Sequence, residues 1–135
     1  MISELKIVVA DDEVEMREYY QAILAHLGHT VVGAARNGRE LVEMCINLKP
    51  DLVITDILMP EMDGIEAIQE FTRTAPVPVI VVTAHNDPDT IDRATKCKIL
   101  GYLVKPIQKG DVQPAVALAM RRFAELRPVW ESDCK

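Results

Sequence analysis

Short apolar runs alternate along the chain with segments in which apolar residues recur every three or four positions. The short runs are rich in valine and isoleucine and favour strands, whereas the recurring pattern predicts amphipathic helices. Strands are predicted at residues 7–10, 30–35, 52–55, 79–82 and 101–104. Helices are predicted at residues 14–27, 38–48, 89–97 and 111–126, with a further helix opening at Asp63-Gly64. Five strand–helix units in alternation predict an α/β domain with a parallel sheet.

Residues at the ends of these elements carry signals of their own. Gly28 stands where a helix C-terminal glycine belongs, and Asp63 stands where an N-cap belongs. Pro128 is expected to end the last helix. The second helix is expected to bury one face, formed by Leu41, Cys45 and Leu48. The run at 79–82 is apolar throughout, which is typical of a central parallel strand that is covered on both faces.

Size and composition are those of a single globular domain. The 135 residues carry a net charge of -6, which weighs against a basic nucleic-acid-binding surface. We assign residues 1–127 to one domain and 128–135 to a tail or the start of a linker. No signal-peptide pattern and no apolar stretch of about 20 residues is present. The three cysteines, Cys45, Cys97 and Cys134, have no metal-site spacing and predict reduced thiols in a cytoplasmic protein.

Polar residues with a common chemistry follow four of the predicted strands. Asp11 and Asp12 follow the first strand, Asp56 the third, Thr83 the fourth and Lys105 the fifth. Because sites in parallel sheets form at the carboxyl ends of the strands, these side chains are expected at one edge. Clustered carboxylates favour a hard cation such as Mg2+, and a carboxylate can accept a phosphoryl group as an acyl phosphate. A lysine and a hydroxyl beside them could bind the phosphoryl oxygens.

Five motifs in this order resemble the receiver domains of two-component response regulators, with a match from Lys6 to about Arg122. They are Val9-Ala10-Asp11-Asp12-Glu13, Pro50-Asp51-Leu52-Val53-Ile54-Thr55-Asp56, Met59-Pro60-Glu61-Met62-Asp63-Gly64, Val82-Thr83-Ala84 and Gly101-Tyr102-Leu103-Val104-Lys105-Pro106. The resemblance implies a doubly wound, flavodoxin-like α/β fold. Its five-stranded parallel sheet would have the strand order 2-1-3-4-5, with helices on both faces. It implies a phosphorylation switch that catalyses only its own phosphorylation and dephosphorylation and is not a stand-alone enzyme.

The resemblance also implies a role for each site residue. Asp56 matches the phosphoacceptor. The implied Mg2+ ligands are Asp11, Asp12, Asp56 and the backbone carbonyl of Leu58, with Asp12 favoured over Asp11 as a direct ligand. Lys105 matches the lysine that contacts the phosphoryl group, and Lys105-Pro106 matches a cis peptide bond. Thr83 and Tyr102 match the switch hydroxyl and the switch aromatic residue.

The implied partners are a sensor histidine kinase, a phosphotransfer protein or a small phosphodonor. Phosphorylation would alter the surface formed by the fourth helix, the fifth strand and the last helix. A homodimer that forms through this surface is one expected arrangement. Neither nucleic acid nor membrane is expected to bind this domain directly. The segments 101–106 and Arg121-Arg122-Phe123 also resemble regulators with an RNA-binding antitermination (ANTAR) output domain, although no such domain lies in the sequence.

Each residue also has an ordinary structural interpretation. Asp11 and Asp12 could cap the first helix, Thr83 and Lys105 could lie in solvated loops, and Tyr102 could be a half-buried strand aromatic. Three histidines are present: His26 and His29 are expected at the surface, and His85 at the rim of the site.

Three other functions compete with the phosphorylation switch. They are an aspartate-nucleophile phosphatase, a flavin or dinucleotide protein, and a degenerate receiver that only docks. For the phosphatase, Glu13 follows Asp11 at the required spacing but no threonine follows in pattern, and Leu58 stands where an acid would have to follow Asp56. The glycine-rich loop of a dinucleotide protein is absent, and the intact set of acids argues against a degenerate receiver. The sequence departs from the receiver pattern at Cys97-Lys98, where an Ala-Gly pair is usual, so the end of the fourth helix is expected to differ.

Overall fold

The computed structural model describes residues 4–74, 76–84, 92–93 and 99–133, with side chains in the last helix as far as Val129. Five strands form one parallel sheet in the order β2-β1-β3-β4-β5. The strands are β1 (Lys6–Ala10), β2 (Thr30–Ala35), β3 (Leu52–Asp56), β4 (Val79–Thr83) and β5 (Gly101–Val104). The predicted fold class and strand order are therefore confirmed.

Helices cover both faces of this sheet. They are α1 (Val14–His26), α2 (Gly38–Leu48), α3 (Gly64–Phe71) and a C-terminal helix (Lys109–Asp133). Alternate residues of a strand point to opposite faces. In β1, Ile7 and Val9 join the core beneath α1 and the C-terminal helix, whereas Val8 joins the core beneath α2 and α3. All residues of β3 and β4 are buried, which is why both strands consist largely of apolar residues.

The predicted helix ends are confirmed at Asp63 and Gly28. The Asp63 side chain accepts a hydrogen bond from the Glu66 backbone N–H at 2.9 Å and so caps α3. Gly28 follows α1 with φ 89°, a left-handed conformation that glycine adopts without strain. The cap at Asp63 matters for the site because it fixes the start of α3, directly after the loop that leaves β3.

Three expectations from the sequence are wrong. Leu48 is 43% exposed and does not share the buried face of α2. His29 is buried, and its Nδ1 accepts a hydrogen bond from the backbone N–H of Leu5 at 3.1 Å. Pro128 lies inside the C-terminal helix, which continues to Asp133. The surrounding turns are exposed, so water can bind the carbonyl of Ala124 that Pro128 leaves without a donor.

Several sequence predictions lie outside the described residues. Of the predicted fourth helix, only Asp92 and Arg93 are described, and both are helical. His85, Cys97-Lys98 and Cys134 belong to the segments that are not described. Within the described ranges, none of the helices combines the length and the apolar character needed to cross a membrane.

Candidate functional site

Three aspartates converge at the carboxyl ends of β1 and β3. These strands are neighbours, with Ala10 paired to Thr55, so the residues that follow them lie side by side. Carboxylate oxygens of Asp11, Asp12 and Asp56 all lie within 4.8 Å of one another. Asp11 is fully buried and Asp56 nearly so, whereas Asp12 is exposed. The prediction from the sequence that these three acids lie together at one edge of the sheet is therefore confirmed.

Lys105 follows β5, the strand at one edge of the sheet, and its side chain reaches the same cluster. Its Nζ lies 3.2 Å from Asp11 Oδ2 and 3.0 Å from Asp56 Oδ2, so one ammonium group bridges two carboxylates. The backbone N–H of Lys105 donates to the Thr83 carbonyl at 2.8 Å, and the Lys105-Pro106 peptide is cis, as expected. The alternative of a solvated loop lysine is wrong, because the side chain is only 17% exposed.

The two buried carboxylates are held by further donors. Asp11 Oδ1 accepts from the Glu13 N–H at 3.0 Å, and Asp56 Oδ1 accepts from the Ile57 N–H at 2.7 Å. From α1, Arg17 Nη1 donates to the Asp11 backbone carbonyl at 2.9 Å, and the Tyr20 hydroxyl donates to Asp11 Oδ2 at 3.4 Å. Asp11 therefore orders the turn into α1, but the N-cap residue itself is Glu13, whose side chain makes no capping bond.

Sequence reasoning missed Arg17 and Tyr20 as neighbours of the site. Both lie on α1, six and nine residues after Asp11. Their helical positions could have found them, because residues 17 and 20 share the face of α1 on which a side chain can turn back toward the end of β1.

Burial sets the electrostatics of the cluster. Burial raises the pKa of Asp56, and the charge of Asp11 raises it further, while Lys105 partly opposes both. For Lys105, burial lowers the pKa, but the hydrogen bonds and charges of Asp56 and Asp11 outweigh it and raise the pKa overall. Three carboxylates with one ammonium leave an excess of negative charge and of oxygen donors. This donor set fits a hard divalent cation such as Mg2+.

Thr83 and Tyr102 occupy different environments. Thr83 ends β4 and is buried, so its interpretation as an exposed loop hydroxyl is wrong. Tyr102 lies on β5, the strand at one edge of the sheet, and is 38% exposed. Leu58 lies two residues after Asp56 with its side chain 65% exposed. Its backbone carbonyl thus lies in the loop between Asp56, which ends β3, and the start of α3.

Comparison with known proteins identifies the family. The family model for the response regulator receiver domain matches residues 7–117. This chain is a response-regulator receiver domain. The transcriptional regulatory protein PdtaR of Mycobacterium tuberculosis is 39% identical to the receiver over 121 residues, which is 90% of this chain and 59% of PdtaR. The chemotaxis protein CheY of Thermotoga maritima is 38% identical over 112 residues, covering 82% of this chain and 93% of CheY.

Solved structures agree with the sequence relatives. The receiver domain of NarL from M. tuberculosis superposes with a TM-score of 0.82 at 27% identity, covering 89% of this chain and 98% of that domain. The receiver domain of T. maritima CheB gives a TM-score of 0.70 at 30% identity, covering 95% and 97%. The chain spans 59% of the length of PdtaR and 93% of the length of CheY.

Proposed function

We propose that this receiver is a phosphoacceptor switch of a two-component phosphorelay and that Asp56 accepts the phosphoryl group. One observation carries the proposal. The Lys105 ammonium group bridges Asp11 and Asp56 within a cluster of three carboxylates. A buried nucleophilic carboxylate needs nearby positive charge to receive a phosphoryl group that is itself negative. The cluster supplies one such charge directly and has the donors to bind another.

The metal in this proposal is Mg2+. The carboxylates of Asp11, Asp12 and Asp56 and the backbone carbonyl of Leu58 would hold it, with the exposed Asp12 as a direct ligand. A bound Mg2+ neutralises charge on the phosphoryl oxygens. Support comes from the charges of the cluster, since three carboxylates with oxygens within 4.8 Å of one another carry more negative charge than the single ammonium group of Lys105 offsets.

The residues of the chain have separate roles in the transfer. A carboxylate oxygen of Asp56 attacks phosphorus and forms an acyl phosphate. The bond between phosphorus and the donor breaks, and its electron pair leaves with the donor group. Lys105 turns from Asp11 to a phosphoryl oxygen, and the Thr83 hydroxyl donates to another. In this scheme the receiver is not a stand-alone enzyme and catalyses only its own phosphorylation and dephosphorylation.

The switch would act through a surface some distance from Asp56. Thr83 moves toward the phosphoryl group, and Tyr102, which is 38% exposed without it, turns inward. The surface that changes consists of the predicted fourth helix, β5 and the C-terminal helix. The partners we expect are a sensor histidine kinase or phosphotransfer protein upstream, and a second receiver or an output domain downstream. The cytoplasmic location and the absence of direct nucleic-acid binding remain predictions.

Intact-mass analysis tests the assignment of Asp56. Incubation with a small acyl phosphate and Mg2+ is expected to add one phosphoryl group, and removal of Mg2+ with a chelator or Asp56→Asn is expected to abolish the gain. Asp51→Asn is the matched control, because Asp51 is an exposed aspartate whose carboxylate accepts from the Lys6 N–H, outside the acid cluster. An unchanged gain in Asp56→Asn, or no gain in the wild type, would show that the assignment is wrong.

A further inference from the structure

Tyr20 is a buried polar group that the proposed phosphoryl transfer does not use. Only 3% of the residue is exposed, and its ring packs in the core beneath α1 with Ile23 and Leu24. A buried phenol hydroxyl needs a hydrogen-bond partner, and Tyr20 directs its hydroxyl to Asp11 Oδ2. The residue therefore spans the hydrophobic core and the acid cluster.

Asp11 is the most heavily bonded carboxylate of the cluster. Its Oδ1 accepts from the Glu13 N–H, and its Oδ2 accepts from both Lys105 Nζ and the Tyr20 hydroxyl. Lys105 Nζ also binds Asp56 at 3.0 Å, so this ammonium group must leave Asp11 if it is to follow a phosphoryl group on Asp56. Among the donors to Oδ2, Tyr20 would then be the one that stays. Without Tyr20 as well, Asp11 Oδ2 would lose both of these donors, and the buried carboxylate would be poorly oriented and costly to keep charged.

We propose that Tyr20 is a positioning residue that holds the Asp11 carboxylate in the orientation in which it binds the divalent cation. The inference rests on the proposed function, since it assumes that Asp11 contributes to a Mg2+ site. Partners of metal ligands typically change metal affinity by about 10- to 100-fold when they are removed. At 3.4 Å the bond is long, so we expect an effect at or below the lower end of that range.

The hydroxyl is suited to this role because it remains a donor. Burial, followed by the charges of Asp11 and Asp56, raises the pKa of Tyr20 far above its ordinary value. A phenol hydroxyl can donate a hydrogen bond to a carboxylate without adding a charge to the cluster. A lysine in the same place would add a charge and compete with the cation, which a neutral hydroxyl does not.

Tyr20→Phe removes the hydroxyl and keeps the ring in the core. The site is observed through a Mg2+ titration of the 15N-labelled protein, followed at the amide resonances of Glu13 and Ile57, both of which bind the carboxylates. We expect the half-saturating Mg2+ concentration to rise about 3- to 10-fold. In phosphorylation by a small acyl phosphate, the half-saturating Mg2+ concentration should rise more than the maximal rate falls.

Tyr19→Phe is the matched control. Tyr19 is the neighbouring residue on α1, and its hydroxyl donates to the Ile107 carbonyl at 2.6 Å, not to a carboxylate. Lys105 is held separately, through its bond to the Thr83 carbonyl. Tyr19→Phe should lower the unfolding temperature but leave the Mg2+ affinity within about twofold of the wild type.

The outcomes separate the two proposals. A Tyr20→Phe affinity within about twofold of the wild type, or an equal loss in Tyr19→Phe, would overturn the role of Tyr20 and leave the proposed function standing. A wild-type protein with no Mg2+-dependent shift at Glu13 or Ile57 would overturn the proposed function, and this inference with it. Unfolding curves of both variants without Mg2+ establish that each is folded.

Discussion

Gly64 lies where α3 starts against the loop that carries Asp56, and Gly64→Ala tests how tightly that loop is packed. A Cβ built at Gly64 would lie 2.2 Å from the Asp56 backbone carbonyl oxygen. Real Cβ contacts essentially never fall below 3.0 Å, so α3 and the Asp56 backbone would have to separate by at least 0.8 Å. That movement would also stretch the 2.8 Å hydrogen bond from the Gly64 N–H to the Ile57 carbonyl.

The magnitude follows from these contacts. Overpacking of a close-packed site costs about 1–3 kcal/mol, and a weakened backbone hydrogen bond adds about 1 kcal/mol. The higher helix propensity of alanine offsets up to about 1 kcal/mol. We therefore expect Gly64→Ala to lower the free energy of unfolding by about 1–3 kcal/mol. A displacement of the acceptor approaching 1 Å can slow a reaction by about 100-fold, so phosphorylation of Asp56 should slow by about 10- to 100-fold.

Urea unfolding and the rate of mass gain with a small acyl phosphate measure both effects. Gly110→Ala is the matched control, because Gly110 lies in the first turn of the C-terminal helix and a Cβ there meets no atom within 4 Å. That variant should be as stable as the wild type or up to about 1 kcal/mol more stable, with unchanged phosphorylation. If Gly64→Ala unfolded within about 0.5 kcal/mol of the wild type and reacted at its rate, the packing argument would be refuted.

Two further predictions concern buried titratable groups. Burial raises the pKa of Asp56, so the protonated carboxyl favours the folded state. This contribution to stability is fully present below the unfolded-state pKa and is lost as pH rises through the folded-state pKa. The stability of Asp56→Asn relative to the wild type should thus increase from pH 3 to pH 7 in Mg2+-free urea unfolding, and a flat difference would contradict this. Burial also raises the pKa of the Cys45 thiol to about 12. In a Cys97→Ser, Cys134→Ser background, a maleimide should therefore label Cys45 only after unfolding, and rapid labelling of the native protein would argue against it.

The part of the site that lies at strand ends could be predicted from the sequence. Strands buried on both faces, such as β3 and β4, appear as apolar runs that need no knowledge of their neighbours. The first polar residues after them, Asp56 among them, must then lie at the carboxyl edge of the sheet. The bridge from Lys105 to Asp11 and Asp56 required the strand order as well, which came from the family resemblance.

The rest depended on three-dimensional packing. Tyr20 looks like an ordinary core residue because the reach of its hydroxyl depends on how α1 lies on β1. His29 is buried because the backbone N–H of Leu5 lies opposite its ring, a contact between two residues 24 apart in the chain. Pro128 lies inside the C-terminal helix although a proline costs about 3 kcal/mol in a helix interior, so the sequence rule places the helix end too early.

The C-terminal helix has a mechanical consequence. Among its residues up to Val129, the last fully buried one is Ala119, and every residue from Ala124 to Val129 is exposed, so this part of the helix leaves the body of the domain after Phe123. The ten residues from 124 to 133 extend the axis by about 15 Å, at about 1.5 Å per residue. If this segment pivots near Phe123, a tilt of about 10° moves its far end by roughly 3 Å over that length. A small repacking beside β5 would thereby become a displacement large enough for another molecule to sense.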